Sequence, residues 1–410
     1  MLFLDMNNSE QIFAIALGLE DPWSIKKIIF DQDKSQLDIY LEFRRGSKFK
    51  MADGNSYTAH DTVERKWQHL NFFQHTCYLH AQVPKVKQSD GKTKTQQVPW
   101  ARKGSGFTLL FEAFSMLLIE NEMPVSKAAE VLRVYPNRLW NIFNYWISKA
   151  HNEDEIEDLT KIGFDETSVK KGHNYVTTMV CLKERRVLFA TEGKGSDCIE
   201  KSIDYLKEKR VDVNKIEQVC IDMSPAFISG CINYLPNAEI TFDKFHVMKE
   251  VNKAMDELRK LERQGNDMLK KHKYTFLKNK LSSKLIQERE LLLEMYPKLG
   301  QGYRLKQLFR DFWDIKDKDE AEGYLAFWCD IATESGIFPF QKAVNTIKAH
   351  WRGIVNYIES HINNGILEGI NSKIQLAKKR ARGYRNTKNY INMIYFISGK
   401  LKFDYPLYST

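Results

Sequence analysis

Two adjacent carboxylates inside an otherwise apolar strand constrain this chain more than any other feature. The stretch Lys161–Leu182, KIGFDETSVKKGHNYVTTMVCL, reads as a strand, a tight turn and a second strand. Ile162, Phe164 and Val169 are apolar, yet Asp165 and Glu166 stand among them, where a buried strand normally carries Val or Ile. A carboxylate there costs free energy unless a cation or hydrogen-bond donors compensate it. Neighbouring strand residues point to opposite faces, so only one of the two can join a further carboxylate. Asp222, which ends the apolar strand Ile216–Ile221, is the second acid in view, and Glu368, much later, is the third.

Residues 161–245 alternate strands and helices. Strands are expected near 161–169, 174–182, 186–192, 216–222 and 238–242, with helices at Asp197–Arg210 and Pro225–Tyr234. Three strands, then helix, strand, helix, strand is the order of an α/β ribonuclease H-like sheet, whose first and fourth strands adjoin. Asp165 and Asp222 would then face each other. Carboxylates that close repel unless a divalent cation lies between them, and hard oxygen ligands select Mg²⁺ or Mn²⁺.

The flanking sequence divides further. Residues 1–100 read as a small mixed module, with a short helix at Ser9–Leu19 and strands at Trp23–Phe30, Leu37–Phe43 and Phe72–Val86. Cys77 and His80 have a ligand-like spacing, with His75 nearby, but no second Cys/His pair follows before His151, so they read as residues along one strand. Residues 107–150 are helical: Phe107–Glu120, then Val125–Leu132, a turn before Pro136, and Asn137–Lys149. A short helix, a tight turn and a second helix with exposed Asn137, Arg138, Asn141 and Asn144 fits a helix-turn-helix as well as it fits an ordinary helical hairpin. Residues 245–360 form a long helical segment, with Phe245–Leu261 and Asp267–Met295 as its longest helices and breaks at Pro297–Gly300 and Ser335–Pro339. That segment separates Asp222 from Glu368, so it is an insertion if both serve one site.

At 410 residues the chain is long enough for roughly two to four domains. The six cysteines are scattered without a CxxC pair, as in a reduced, cytoplasmic protein. No apolar run is long enough to span a bilayer, which points away from a membrane protein. Net charge is +9, and its distribution matters more than its size. From Gly369 to Phe403 there are nine Lys or Arg and no Asp or Glu.

The runs GFDETSVKKGHNY, CIDMSPAF, FDKFHV and NNGILEGINSKIQLAKKRARGYRN together resemble the ISL3-family insertion-sequence transposases. HLNFFQHTCYLHAQVPKV and VPWARKGSGFTLLFEAF resemble the N-terminal half of that family, so the resemblance runs nearly the whole length. It implies a DDE transposase: a ribonuclease H-like catalytic core (156–246 and 361–410) with an all-α insertion (247–360), preceded by an N-terminal DNA-end-binding module (1–100) and a helix-turn-helix (101–155). The family's acids fall on Asp165, Asp222 and Glu368, which selects Asp165 over Glu166. Its DxxH element falls on Asp243 and His246, which would otherwise read as a helix cap with a packed histidine. His173 follows the turn near the site. The family's N-terminal zinc ligands have no counterpart at Lys50–Gly54 or Lys87–Lys92, so the module reads as degenerate and zinc is not expected.

The chemistry implied is two-metal phosphoryl transfer with Mg²⁺ or Mn²⁺ held by the three acids. Without the resemblance, Glu368 reads as a solvated residue on a surface helix. Arg138 and Asn141 are the expected base-reading residues of the second helix. Lys378, Lys379, Arg380, Arg382 and Arg385 are expected to meet phosphates, and Tyr384 to stack on an unpaired base. The partners are then double-stranded DNA, as terminal inverted repeats and target, and a second copy of the chain, on the bacterial nucleoid. A ribonuclease H-like nuclease or resolvase, and a DNA-binding relative that has lost catalysis, are the competing readings.

Overall fold

The computed structural model describes residues 9–405 apart from positions 52, 90, 171–173, 264–266, 279 and 361–364. The chain forms two compact units, Met1–Ala150 with Lys402–Thr410, and His151–Leu401.

The first unit begins with α1 (Ser9–Ala16), β1 (Trp23–Asp31), β2 (Gln36–Phe43), the short β3 (Lys48–Lys50) and β4 (Ser56–Thr58), β5 (Asp61–Phe72), β6 (His75–Lys87) and β7 (Thr93–Thr95). The main sheet runs β1-β2-β6-β5, with β7 added on β6; β2 and β6 are parallel and the other pairs antiparallel. Alternation buries Leu37, Ile39, Leu41, Cys77, Leu79 and Ala81 on one face, closed by Trp23, Trp67 and Trp100. Cys77 and His80 therefore point to opposite faces. Cys77 lies in the core, while His80 Nε2 bonds Asp38 at 2.6 Å and its ring stacks on Tyr40. The long strand β5 was not expected, because its sequence DTVERKWQHLNF is polar or charged at most positions and apolar only at Val63, Trp67, Leu70 and Phe72.

Three helices complete this unit: α2 (Leu109–Glu120), α3 (Val125–Val131) and α4 (Pro136–Glu153). Thr108 caps α2 by accepting from Phe111 N. The α3–α4 turn passes through Arg133 at φ +55°, and Pro136 opens α4, as its position suggested. Helix α4 buries Leu139, Ile142, Phe143, Trp146 and Ile147 and turns Asn137, Arg138, Asn141 and Tyr145 outward.

The second unit is built on β8 (Lys161–Lys170), β9 (Asn174–Cys181), β10 (Arg186–Glu192), α5 (Ser196–Glu208), β11 (Gln218–Ile221), α6 (Pro225–Tyr234) and β12 (Glu239–Phe242). The sheet order is β10-β9-β8-β11-β12, antiparallel across β8, β9 and β10 and parallel from β8 through β11 to β12. All five strands occur where the sequence suggested, and the first and fourth adjoin. Ile162 and Phe164 of β8 pack with Ile199 and Ile203 of α5 and Phe227 of α6 on one face.

Helices then follow: α7 (Lys244–Glu262), α8 (Lys273–Leu277), α9 (Ser283–Met295), α10 (Pro297–Asp311), α11 (Lys318–Glu334), α12 (Phe338–Ala349), α13 (Trp351–Ser360), α14 (Gly365–Arg380) and α15 (Thr387–Ser398). The expected single helix over Asp267–Met295 is instead a 3₁₀ turn followed by α8 and α9. The expected breaks fall close to where the sequence suggested: Tyr296 separates α9 from α10 and residues 335–337 separate α11 from α12, with Pro297 and Pro339 in the first turns of the helices that follow, where a proline forfeits no helical hydrogen bond. Helix α13 covers the outer edge of β12: Asn356 Nδ2 donates to Ile240 O at 3.0 Å, and Gly353 lets Phe242 lie against the helix backbone. The other face of the sheet receives α14 and α15. Gly163 of β8 is required there, since a Cβ would meet Leu367 Cδ1 at 3.0 Å.

Candidate functional site

The register of β8 and β11 brings two of the expected acids together. Gln218 pairs with Lys161 and Cys220 with Gly163. Two residues further along both strands, Asp222 stands level with Asp165. Asp222 leaves the strand at that point, and its Oδ1 accepts from Ser224 N at 2.9 Å ahead of α6. Ile221 O, at the end of β11, accepts from Asp243 N at 3.0 Å. The DxxH pair is thereby anchored beside the same strand end.

Asp165 lies on the face of β8 that meets α14. Its Oδ1 accepts from the Glu166 backbone N–H at 2.8 Å and its Oδ2 from Asn371 Nδ2 at 3.1 Å. Burial pushes its carboxyl up to about 6, aided by the Asp243 charge and opposed by the Glu166 N–H, His246 and Asn371. Glu166 is pushed up to about 7, first by burial and then by the Asp222 charge. Asp243, nearly inaccessible, caps α7 by accepting from Phe245 N at 2.8 Å and holds His246 Nδ1 at 2.6 Å. That bond raises the His246 pKa, and Asp222 and Asp165 add to the effect. The result is a group of carboxylates beside the end of β11, with His246 and Lys194 placed to offset them.

Helix α14 runs alongside β8 in the same direction. Leu367 rests on Gly163, Asn371 on Asp165, Gln375 Nε2 on Thr167 Oγ1 at 2.5 Å, and Lys378 Nζ on Ser168 O at 2.6 Å. A cleft between this helix and the sheet is lined by Asp165, Glu166, Thr178, Leu367, Ile370 and Asn371. Glu368 is exposed on the first turn of α14, one turn ahead of Asn371. Glu368 thus stands on α14 between Leu367, which meets Gly163, and Asn371, which bonds Asp165.

The donor chemistry fits hard divalent cations. Asp165 and Glu166 are desolvated, the acids offer only oxygen, and Asn371 Oδ1 is a buried acceptor beside Asp165 with no hydrogen-bond partner. Even so, among the described residues no three His, Cys, Asp or Glu side chains converge closely enough to hold an ion. Asn371 and Gln375 were missed from sequence, although their spacing of three and seven from Glu368 puts them on one helical stripe with it.

The remaining expected residues separate into two groups. Lys379, Arg380, Arg382 and Arg385 are exposed at the end of α14 and in the turn to α15, whereas Lys378 is engaged with Ser168. Tyr384 is 8% exposed and packs on Tyr390, so it belongs to the packing of the α14–α15 turn and not to an open stacking surface. In the first unit, Arg138 and Asn141 are exposed on α4. His173 lies outside the described residues. No helix among the described residues is long and apolar enough to cross a membrane.

An acid-bearing mixed sheet in a chain that also carries a helix-turn-helix defines a class, and comparison with known proteins makes it specific. A family profile described as transposase, of the DDE class and ISL3 type, matches residues 162–394. A second, the helix-turn-helix domain of transposase family ISL3, matches residues 96–147. The chain belongs to the ISL3 family of insertion-sequence transposases. The transposase for insertion sequence element IS1001 of Bordetella parapertussis is 23% identical over 391 residues, 92% of this chain and 95% of that one. The transposase for IS1557 of Mycobacterium tuberculosis is 25% identical over 362 residues, 80% of each chain. A chain of a solved simian T-cell lymphotropic virus intasome matches at only 12% identity and a TM-score of 0.17, over 41% of this chain and 70% of that one.

Proposed function

We propose that the chain binds the terminal inverted repeats of its insertion sequence, cleaves DNA there and joins the ends to target DNA. Residues 156–246 and 361–410 form a ribonuclease H-like catalytic core in this reading, which the order of the five strands supports. Residues 247–360 are the helical insertion, suited to subunit or end contacts in a homodimer or larger assembly. Residues 101–155 read DNA, and 1–100 bind the element ends.

The observation that carries the proposal is the register that sets Asp222 level with Asp165 in a desolvated, carboxylate-rich strand end. Asp165, Asp222 and Glu368 would hold Mg²⁺ or Mn²⁺. Two such ions, when bound, activate the attacking hydroxyl or water and stabilise charge on the departing 3′-oxygen. Asn371 orients Asp165 through its 3.1 Å bond. Asp243 fixes the His246 ring, whose proton offsets the surrounding carboxylates. Lys379, Arg380, Arg382 and Arg385 extend from the same helix and turn and would hold the phosphates of the strand being cut.

The test is a cleavage and joining assay on DNA carrying the element's own terminal repeats, with Mg²⁺ or Mn²⁺, comparing wild type with Asp222→Asn and Glu166→Gln. The expected outcome is metal-dependent cleavage and joining in wild type, a fall of about a thousandfold or more in Asp222→Asn with DNA binding retained, and near-wild-type chemistry in Glu166→Gln. Cutting without joining would move the protein to the nuclease class. Binding without chemistry in every protein and metal would make it a relative that has lost catalysis.

A further inference from the structure

The loop that precedes α2 is tied to the outer face of α4 by contacts that a simple connector does not need. Glu112, fully buried on α2, accepts from Arg102 Nε at 2.8 Å, Ser105 Oγ at 2.6 Å and Trp146 Nε1 at 2.8 Å. One carboxylate thereby fixes both ends of the turn Arg102–Ser105 and the inner side of α4. The Arg102 guanidinium continues outward over the Tyr145 ring at 3.8 Å. Further toward the start of α4, Arg138 lies over the Phe107 ring at 4.2 Å, and a Cβ on Gly106 would come within 3.3 Å of its Nη2. The loop therefore borders the exposed row Arg138, Asn141, Tyr145 along its length, with Lys103 and Gly104 exposed at its crest.

Charge selects the occupant. Gln97–Phe111 and Val131–Ala150 contain Arg102, Lys103, Arg133, Arg138 and Lys149 and no Asp or Glu. Arg102 is paired with Glu112 and Lys149 with Asp404, while Lys103, Arg133 and Arg138 are exposed beside a helix with amide and aromatic side chains, a setting that suits the phosphates of a duplex whose groove the helix enters. We propose that the loop Arg102–Gly106 grips the DNA backbone next to the bases read by α4, with Lys103 as its phosphate contact and Glu112 as the positioning residue that fixes the loop against the helix. The proposal rests on the reading of α4 as the DNA-reading helix, and it assigns Arg138 a mixed role, held by Phe107 on one side.

The experiment measures binding of the full chain to a duplex from its own element end and to an unrelated duplex, across a series of salt concentrations, for wild type, Lys103→Ala and Asn141→Ala. Lys103→Ala is expected to weaken binding to both duplexes by the same factor and to reduce the slope of log K against log salt by about 1. Asn141→Ala is expected to lower discrimination between the duplexes with the slope unchanged. If Asn141→Ala behaves so and Lys103→Ala leaves affinity and slope untouched, the loop proposal falls and the helix reading stands. If neither variant differs from a DNA-binding wild type, or wild type binds no DNA, both fall. A circular-dichroism melt of each variant, expected to match wild type because both side chains are exposed, separates lost contacts from lost folding.

Discussion

Two carboxylate sites, one in each unit, the first buried and the second half-buried, solve the same physical problem in opposite ways. Glu112 has three donors from an arginine, a serine and a tryptophan within 2.6–2.8 Å. Asp165 has a backbone N–H and one asparagine amide, and the groups beyond them include Glu166, Asp222 and Asp243. A saturated carboxylate locks a fold in place, because removing it strands its partners. A crowded one, short of donors, is held at a cost that a bound cation would relieve. The contrast sets a carboxylate that braces the fold apart from one that the proposed function would use to hold a metal ion.

The largest expected effect on stability falls on the saturated site. Glu112→Ala should destabilise the first unit by about 3–5 kcal/mol, since it leaves Arg102 without its buried partner. Urea unfolding followed by the fluorescence of Trp146 and its neighbours measures it. Asp165→Asn should have the opposite sign: in metal-free protein at pH 8 it removes a disfavoured charge and raises stability by on the order of 1 kcal/mol. If both substitutions destabilise alike, the distinction between the two sites is lost.

A smaller effect follows from pH. The carboxyls of Asp165 and Glu166 titrate near about 6 and about 7 in the folded chain, above their ordinary range near about 4. Between those limits the folded state holds more protons than the unfolded one, so its stability falls as pH rises. His246, also raised, acts in the same direction above its ordinary value. Metal-free protein should therefore melt at a lower temperature at pH 8 than at pH 5.5 as far as these groups are concerned, and Asp165→Asn should flatten the profile. A profile unchanged by that substitution would contradict the crowding inferred here.

Much of the second unit was legible because its signals are local. A carboxylate pair in an apolar strand, a turn and a β-branched run fix β8 and β9, and Pro225 and Asp243 mark where α6 and α7 begin. Less legible was whatever depends on a partner far along the chain. β5 hides because the charges on its open face mask the alternation. Glu112 reads as one polar residue in the apolar run LLFEAFSMLL, and nothing nearby in sequence reveals that Arg102, Ser105 and Trp146 converge on it. Tyr384 looks like a stacking residue amid lysines and arginines until its packing on Tyr390 is seen. Asp165 and Asp222 were visible as acids, but their level alignment rests on strand register.

The most direct test of the central claim is a calorimetric Mn²⁺ titration of the purified chain at pH 6.5 in buffers of different ionisation enthalpy, for wild type, Asp222→Asn and Glu368→Gln. The account predicts saturable binding with release of protons from the crowded carboxylates, abolished in Asp222→Asn and weakened in Glu368→Gln as the third acid is withdrawn. Binding of equal strength and equal proton release in all three proteins would contradict it.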